Sequence, residues 1–555
     1  MSIIYLENLS NELFNEILDY LDGCDIYNAF SNLNYRFQQF LNSSCILFKI
    51  QFHFTSDELF ITNYKQMRFL NKHQLLSLNL SSKLHVDSFF SSIIIDSSFD
   101  RLESIILQGI KRDTLAVFLK QLICLPRLFT LNIKSSDTSK DLCDVYQSIF
   151  VLPVLKYLQL DSYEWYSLVS LPIATNNQQL SKIKRFIIEH STTFNELAAL
   201  LSYTSELTHL KFFHLSENDL NVRIILPITL SNLTYISINV ICVSFDEIEI
   251  LIKKLPSKLE VFRFGTRCED INYLNSNLWE RLILQYLPNL KIFYFEYYKN
   301  TVYKENELLD YLGQPNHFIS SFWFKRQWIF DVHIEIEEIS FSIFPYKKRW
   351  YESVNIDINS NSDILTMLTI LYIPFDEYLN LLLEEIVWAT TVASIYHLNF
   401  FPNAEIFIGA LLEIINVLPD LDSLKIWSLT LIQSTCLSLD DLENIYYVSR
   451  RNKITKVYLE MMIKFEEALF LIDVFPRMKY FRIGCASIIN IELFLSIILM
   501  KISTKSNHNL CLLAFSISTA DDEMMKNLQK MIKSKKLIFN YTMTRLFDTI
   551  YLQLE

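Results

Sequence analysis

The sequence predicts an α/β protein: a short helical module at the N-terminus, then a solenoid of strand-helix units with a concave parallel sheet and outer helices. Three observations carry this. Apolar residues recur at helical spacing through the first forty positions. A short phrase, apolar-x-x-apolar-x-apolar, then returns along the chain at a nearly constant interval. Helical stretches fill the gaps between its copies.

In the first segment Leu9, Leu13, Ile17, Leu18 and Leu21 give one apolar helix face. Ser10, or Asn11 beside it, caps this helix, and Glu12 sits in the first turn, where the helix dipole favours a carboxylate. Gly23 reads as its stop. A second helix after Asp25 turns Ile26, Ala29, Phe30 and Leu33 inward, and a third holds Phe37, Phe40 and Leu41. Three helices this short are marginal without a partner.

Leu9, Glu12, Leu13, Ile17, Leu18, Tyr20, Leu21, Asp25, Ile26 and Leu33, with Arg36 and Phe37 near the end, make the segment resemble an F-box. It departs from the family pattern at two places, Ser10 for the usual Pro and Phe37 for the usual Trp. The resemblance implies docking on the Skp-type adaptor of a cullin-RING ubiquitin ligase through Leu9, Ser10, Leu13, Ile17, Leu18, Leu21 and Leu33. The alternative use of the same apolar face is as a cap, packed on Leu47, Ile50 and the first strand.

The repeated phrase ends at Leu80, Leu107, Ile133, Leu160, Ile188, Leu215, Ile238, Phe264 and Phe295. In LKYLQL the alternation puts Leu158 and Leu160 on one strand face, with Leu155 closing the turn before it. Residues 113–125, 141–152 and 193–203 read as helices between strands. One such unit cannot bury its own apolar face, and stacked units make a continuous core. The pattern resembles a leucine-rich repeat, although the Asn or Cys after the strand is mostly missing, with Asn79, Asn132 and Cys242 near such places. The middle residues of the phrase are then the surface candidates: Asn79, Ile106, Asn132, Gln159, Ile187, His214, Ser237, Arg263 and Tyr294.

The rhythm breaks in 301–365, an aromatic, strand-rich insert or seam in which Phe330, Val332 and Ile334 alternate inward and Asp331 and His333 outward. Phe344, Pro345, Tyr346 and Trp350 with Lys347, Lys348 and Arg349 form a basic-aromatic patch. Edge packing, a protein-binding surface and a platform for single-stranded nucleic acid are its three readings. The phrase resumes with ends at Phe400, Leu429, Leu459, Ile483 and Ile517, and places Ser428, Tyr458 and Arg482 at the surface position. A terminal helix over 521–536 sets Met524, Leu528, Met531 and Ile532 on one face, and 541–552 caps the last unit. The expected organisation is 1–48 module, 49–300 first arc, 301–365 insert, 366–555 second arc and cap.

Composition narrows the function. The chain is 51% apolar with a formal charge of −12, which argues against nucleic acid as the main partner. The best apolar runs, at 406–418 and 488–500, are too short to span a membrane and each contains a Glu. The nine cysteines form no C-x-x-C pair, so neither a zinc site nor a disulfide scaffold is expected, and reduced core thiols suit a cytoplasmic or nuclear protein. With six glycines in the whole chain there is no phosphate loop, and no H-E-x-x-H or G-x-S-x-G occurs. No catalytic residue, metal or cofactor is therefore expected.

An F-box-like module before a leucine-rich-repeat-like solenoid resembles the substrate-recognition subunit of an SCF-type ligase. That resemblance implies a Skp-type adaptor and cullin complex as partners and an unknown protein substrate on the solenoid, with Arg263, Tyr294, Tyr458 and Arg482 as anchor candidates. The alternative is a non-catalytic scaffold repeat protein without a ubiquitin role.

Overall fold

In the computed structural model the residues described are 9–43, 46–52, 71–81, 86, 89–90, 93–135, 141–162, 169–174, 180–215, 230–301, 317–350, 366–372, 379–402, 405–430, 439–485, 490–504, 509–517, 520–538 and 540–554. They form two compact units, Met1–Thr266 with Arg281–Ile292, and Arg267–Glu280 with Phe293–Glu555.

The first unit opens with three helices, α1 (Asn11–Leu18), α2 (Gly23–Phe30) and α3 (Tyr35–Leu41). Each is capped by a side chain that accepts from a free amide of its first turn: Ser10 from Leu13 N, Asp22 from Cys24 N and Asn34 from Phe37 N. Gly23, expected as a stop, instead begins α2. Its lack of a side chain matters there, because a Cβ would lie 3.0 Å from Phe48 Cβ and 3.2 Å from Ile50 Cγ1. The core of the module is aromatic: Phe14 meets Phe37 at 5.0 Å and Phe30 and Phe40 at 5.8 Å between ring centroids.

Among the described residues nine strands follow: β1 (Phe48–Phe52), β2 (Leu75–Leu80), β3 (Ser104–Ile110), β4 (Thr130–Ser135), β5 (Tyr157–Ser162), β6 (Arg185–Ser191), β7 (His209–Leu215), β8 (Tyr235–Ile241) and β9 (Val261–Arg267). From β1 to β8 each pairs in parallel with the next in sequence. At β9, Glu260 N and Val261 N donate to Thr234 O, repeating the hydrogen bonds of the earlier units. Every phrase of the first arc lies on a strand. Leu131, Leu158, Phe186, Leu210 and Ile236 form a fully buried row, and the helices pack on that face, Phe150 against Phe186 and Phe194 against Phe212. One strand was not anticipated, β1, whose Gln51 pairs with Asn79.

The second unit holds β10 (Ile292–Asn300), β11 (Trp328–Glu335), β12 (Glu338–Pro345), β13 (Met367–Ile370), β14 (His397–Phe400), β16 (Ser423–Ile426), β18 (Lys456–Met462), β19 (Tyr480–Cys485) and β20 (Leu512–Ser516), with β15 (Glu405–Phe407) and β17 (Ser428–Thr430) as a separate parallel pair. β11, β13, β14, β16, β18, β19 and β20 form a parallel run. The aromatic segment is part of this sheet: β12 pairs antiparallel with both β10 and β11. At the other end the hairpin β21 (Tyr541–Leu546) and β22 (Thr549–Leu554) closes the edge, β22 running antiparallel to β20. The terminal helix spans Asp522–Lys535 with Asp521 as its cap and buries Leu528, Met531 and Ile532. No helix is long and apolar enough to cross a membrane among the described residues.

Candidate functional site

Helix α1 carries two apolar stripes, not one. Phe14 and Leu18, four residues apart, point into the module, Leu18 being 6% exposed. Leu13 and Ile17, also four apart, point outward with 49% and 39% of their surface free. Leu21 and Leu33 stay exposed at 40% and 55%, Tyr20 is almost fully so, Ser10 is exposed and Leu9 half-buried. Leu18 therefore leaves the expected docking set, and so does the expectation that Leu33 and Ala29 turn inward.

The module is fixed to the sheet by another surface. The α2 face at Gly23 packs on β1, Asp22 Oδ2 accepts from Gln51 N at 2.6 Å, and Gln74 Nε2 donates to the carbonyls of Leu41 and Ser43 at 2.8 and 2.7 Å. Arg36 holds the start of α1, donating to Leu9 O at 2.7 Å and Asn11 Oδ1 at 3.0 Å. The outward stripe of α1 is thus not consumed in capping the first strand.

On the sheet face away from the helices, the strand pairings align one residue per strand. Gln51, Asn79, Ile106, Asn132, Gln159, Ile187, Lys211 and Ser237 stand in register from β1 to β8. His214, expected in this row, pairs with Val240 instead, and Lys211 takes its place. LTHLKF and LKFFHL overlap in the sequence and both fit the phrase; only pairing chooses the frame.

A polar ladder runs along this row. Asn132 Nδ2 donates to Gln159 Oε1 at 3.0 Å, Tyr157 OH donates to the same oxygen at 2.9 Å, and Gln159 Nε2 donates to Glu189 Oε2 at 2.9 Å. Glu189 in turn holds Lys211 at 3.0 Å, and Lys134 holds Asp161 at 2.8 Å. Asn132, expected near a turn, is spent in this ladder. Lys211 and Gln159 keep the Glu189 carboxyl below its usual range although burial opposes them.

Next to the ladder β6 is irregular: Ile188 pairs with Phe212 and Ser191 with Phe213, leaving Glu189 and His190 as extra residues. The bulge sends His190 into the core, where its Nε2 lies 2.6 Å from Tyr146 OH and its Nδ1 2.9 Å from Ser191 O. Burial drives its pKa down to about 4. A pocket of about 400 Å³ opens at this bulge, lined by Lys134, Asp161, Glu189, Lys211, Phe213 and Asn239 among others. Nothing in the sequence marks it except two surplus residues in RFIIEHS. Arg263 lies exposed on β9.

In the second unit the same face is largely covered by its own chain. Asp331, expected outward, is buried and paired with Arg349 at 2.9 Å, and its Oδ1 accepts from Met367 N at 3.0 Å. Burial raises its pKa against the pull of Arg349. Trp350, the neighbour of Arg349, lies tilted at 5.5 Å from Tyr458 and stacks at 6.3 Å on Tyr480. Tyr458 is only 9% exposed. Arg482 lies over its ring at 4.7 Å and donates to Ser516 Oγ. Both anchor candidates of the second arc are thus engaged internally, and so is the basic-aromatic patch, of which Lys347 and Lys348 alone remain exposed cations. Tyr294 on β10 is half-buried. Ser428 lies buried in the side pair with β15, and Lys425 occupies the surface register between Asn399 and Tyr458.

The cysteines differ from expectation in one respect: Cys24 is buried, its thiol pushed up to about 12 by desolvation, while Cys124, Cys242 and Cys511 are exposed. Among the described residues no group of His, Cys, Asp and Glu is arranged to hold a metal.

No family model matches the chain, and no curated protein matches it. Among solved structures it resembles the crystal structure of the Rad7 and Elc1 complex in yeast, at 11% identity and a TM-score of 0.24, over 86% of this chain and 89% of that one.

Proposed function

We propose that this chain is a non-catalytic substrate-recognition subunit of an SCF-type ubiquitin ligase, docking a Skp-type adaptor through the N-terminal helices and holding a protein substrate on the solenoid. The observation that carries the reading is the second apolar stripe of α1. Leu13 and Ile17, and in the same module Tyr20, Leu21 and Leu33, remain exposed while the module is already anchored by α2. Leaving such a group of large apolar side chains in water is unfavourable and marks a contact surface. Leu9 and Ser10 border it, and Arg36 fixes the chain there. In this role the solenoid supplies proximity: it keeps a bound substrate near a ubiquitin-loaded enzyme and needs no nucleophile or acid of its own. The substrate-facing surface is the open face of the first unit, around Lys134, Gln159, Glu189, Lys211 and Arg263, because in the second unit Trp350 lies over Tyr458 and Tyr480.

The test is co-precipitation of the purified full chain with a Skp-type adaptor, beside the double variant Leu13→Asp, Ile17→Asp. Capture near equal stoichiometry, lost in the variant with the fold retained, is the expected result, since a charge on the contact face is desolvated without a partner. Failure of the unmodified chain to bind overturns the ligase role and leaves a scaffold repeat protein.

A further inference from the structure

The segments that lead into β4, β5 and β6 bring five cations to one edge of the sheet. Arg127 precedes β4, Lys156 precedes β5, and Lys182, Lys184 and Arg185 open β6, all exposed. The backbone sets three of them side by side: Lys156 N donates to Phe129 O, and Lys184 N and Arg185 N donate to Lys156 O, with Arg127 and Lys182 two residues before Phe129 and Lys184 in sequence. No described carboxylate lies within ion-pair distance of any of the five. The two other lysines of this region's open face, Lys134 and Lys211, are by contrast paired with Asp161 and Glu189. In a chain of formal charge −12 this is a positive ledge whose cations form no ion pair among the described residues.

Aromatic rings lie under the charges. Lys156 Nζ sits 4.4 Å from the Phe129 ring centroid and the Arg185 guanidinium 5.4 Å from that of Tyr157. His209, next in register after Arg185, stacks on Tyr235, and burial with the nearby Arg185 charge lowers its pKa. Two of the five cations, Lys156 and Arg185, thus lie against a ring.

We infer that this ledge binds a short acidic peptide segment, a run of Asp and Glu, as part of the surface that holds the protein partner. The inference rests on the reading of the solenoid as a partner-holding surface and names the chemistry of that partner. Adjacent strands lie about 4.8 Å apart, so three strands present the charges over roughly 10–15 Å, the length of three to five extended residues. The ledge is bounded by acids, Glu103 before β3 and Glu206 before β7. A short acidic run fits between them, whereas a phosphodiester chain continuing past either side meets a carboxylate. The cations are spread across strands and do not converge on one point, which suits several separate carboxylates.

The experiment is fluorescence anisotropy of the full-length protein with a labelled peptide carrying a run of Asp and Glu, the same peptide with Asn and Gln, and a single-stranded oligonucleotide. The acidic peptide binds, the amide peptide does not, and binding weakens with salt. The triple variant Lys156→Glu, Lys184→Glu, Arg185→Glu weakens binding at least about tenfold, and the Gln versions of the same changes give an intermediate loss, which ties the effect to charge. All three sites are exposed, and unchanged circular dichroism confirms the fold. No binding of the acidic peptide, equal binding of the amide peptide, tighter binding of the oligonucleotide, or full binding by the triple variant each overturns the inference. Adaptor capture separates this result from the ligase reading: no capture by the unmodified chain overturns that reading and not the ledge, and the triple variant, altered only at the ledge, captures the adaptor as the unmodified chain does.

Discussion

His190 makes the first unit acid-sensitive in a calculable way. Its ring is buried by the β6 bulge, with Nδ1–H donating to Ser191 O and Nε2 accepting from Tyr146 OH. The folded pKa is about 4 against 6.5 for the free side chain. Above pH 6.5 the ring is neutral in both states and its ionisation costs the fold nothing. As pH falls from 6.5 to about 4 the unfolded chain takes up a proton that the folded one refuses, so stability drops by about 1.4 kcal/mol per pH unit, roughly 3 kcal/mol in all. The matched control is Tyr146→Phe with His190→Leu, which removes both polar groups together and so stays within about 1 kcal/mol of the parent at pH 7. Urea denaturation of both proteins from pH 7.5 to 4 is the assay, and only the difference between the curves matters, since every other titrating group cancels. The parent should lose stability faster, by the stated slope, between pH 6.5 and 4. Parallel curves would refute the burial of a neutral His190.

Four further outcomes follow from the geometry. Phe14→Ala, which empties the centre of the aromatic core of the module, costs about 3–5 kcal/mol, whereas Leu13→Ala on the neighbouring stripe stays within about 0.5 kcal/mol; thermal melts of the two separate the stripes. Arg349→Met leaves Asp331 buried without its cation and destabilises the second unit by about 3–5 kcal/mol, measured by denaturation, and Asp331→Leu added to it recovers much of that loss. Gly484→Ala places a Cβ 1.8 Å from Glu460 O between β18 and β19, so the strands must part, and hydrogen exchange in 456–462 and 480–485 should rise. Lys211→Met, by contrast, breaks a surface pair and costs at most about 1 kcal/mol in the same melts.

The repeat was legible because burial demands it: Leu131, Leu158 and Phe186 lie in one continuous row, and only apolar residues at a fixed spacing build such a row. The frame of two units was not. LKFFHL and LKIWSL satisfy the phrase as well as LTHLKF and LDSLKI do, and the choice was made by pairing with β6 and β14. Local pattern contains no information about a neighbour some 25 residues away. The same limit hid the pairing of Asp331 with Arg349 and the stacking of Trp350 on Tyr480, since period-two alternation assigns a face but not what covers it. In α1 the sequence held both stripes, and reading them as a single face merged Leu18 with Leu13 and Ile17. The helix turn separates them by one residue, or about 100°. Ser10 and Glu12, whose roles depend only on adjacent amides, stand as the sequence places them.

The most direct measurement of the central claim is hydrogen exchange of the full-length chain with and without a Skp-type adaptor. With the adaptor bound, exchange slows in the N-terminal helices alone, most strongly across Asn11–Leu18 and around Leu33, and the strands of both units are unchanged. Protection on the sheet face around Gln159 and Lys211, or none anywhere, would contradict it.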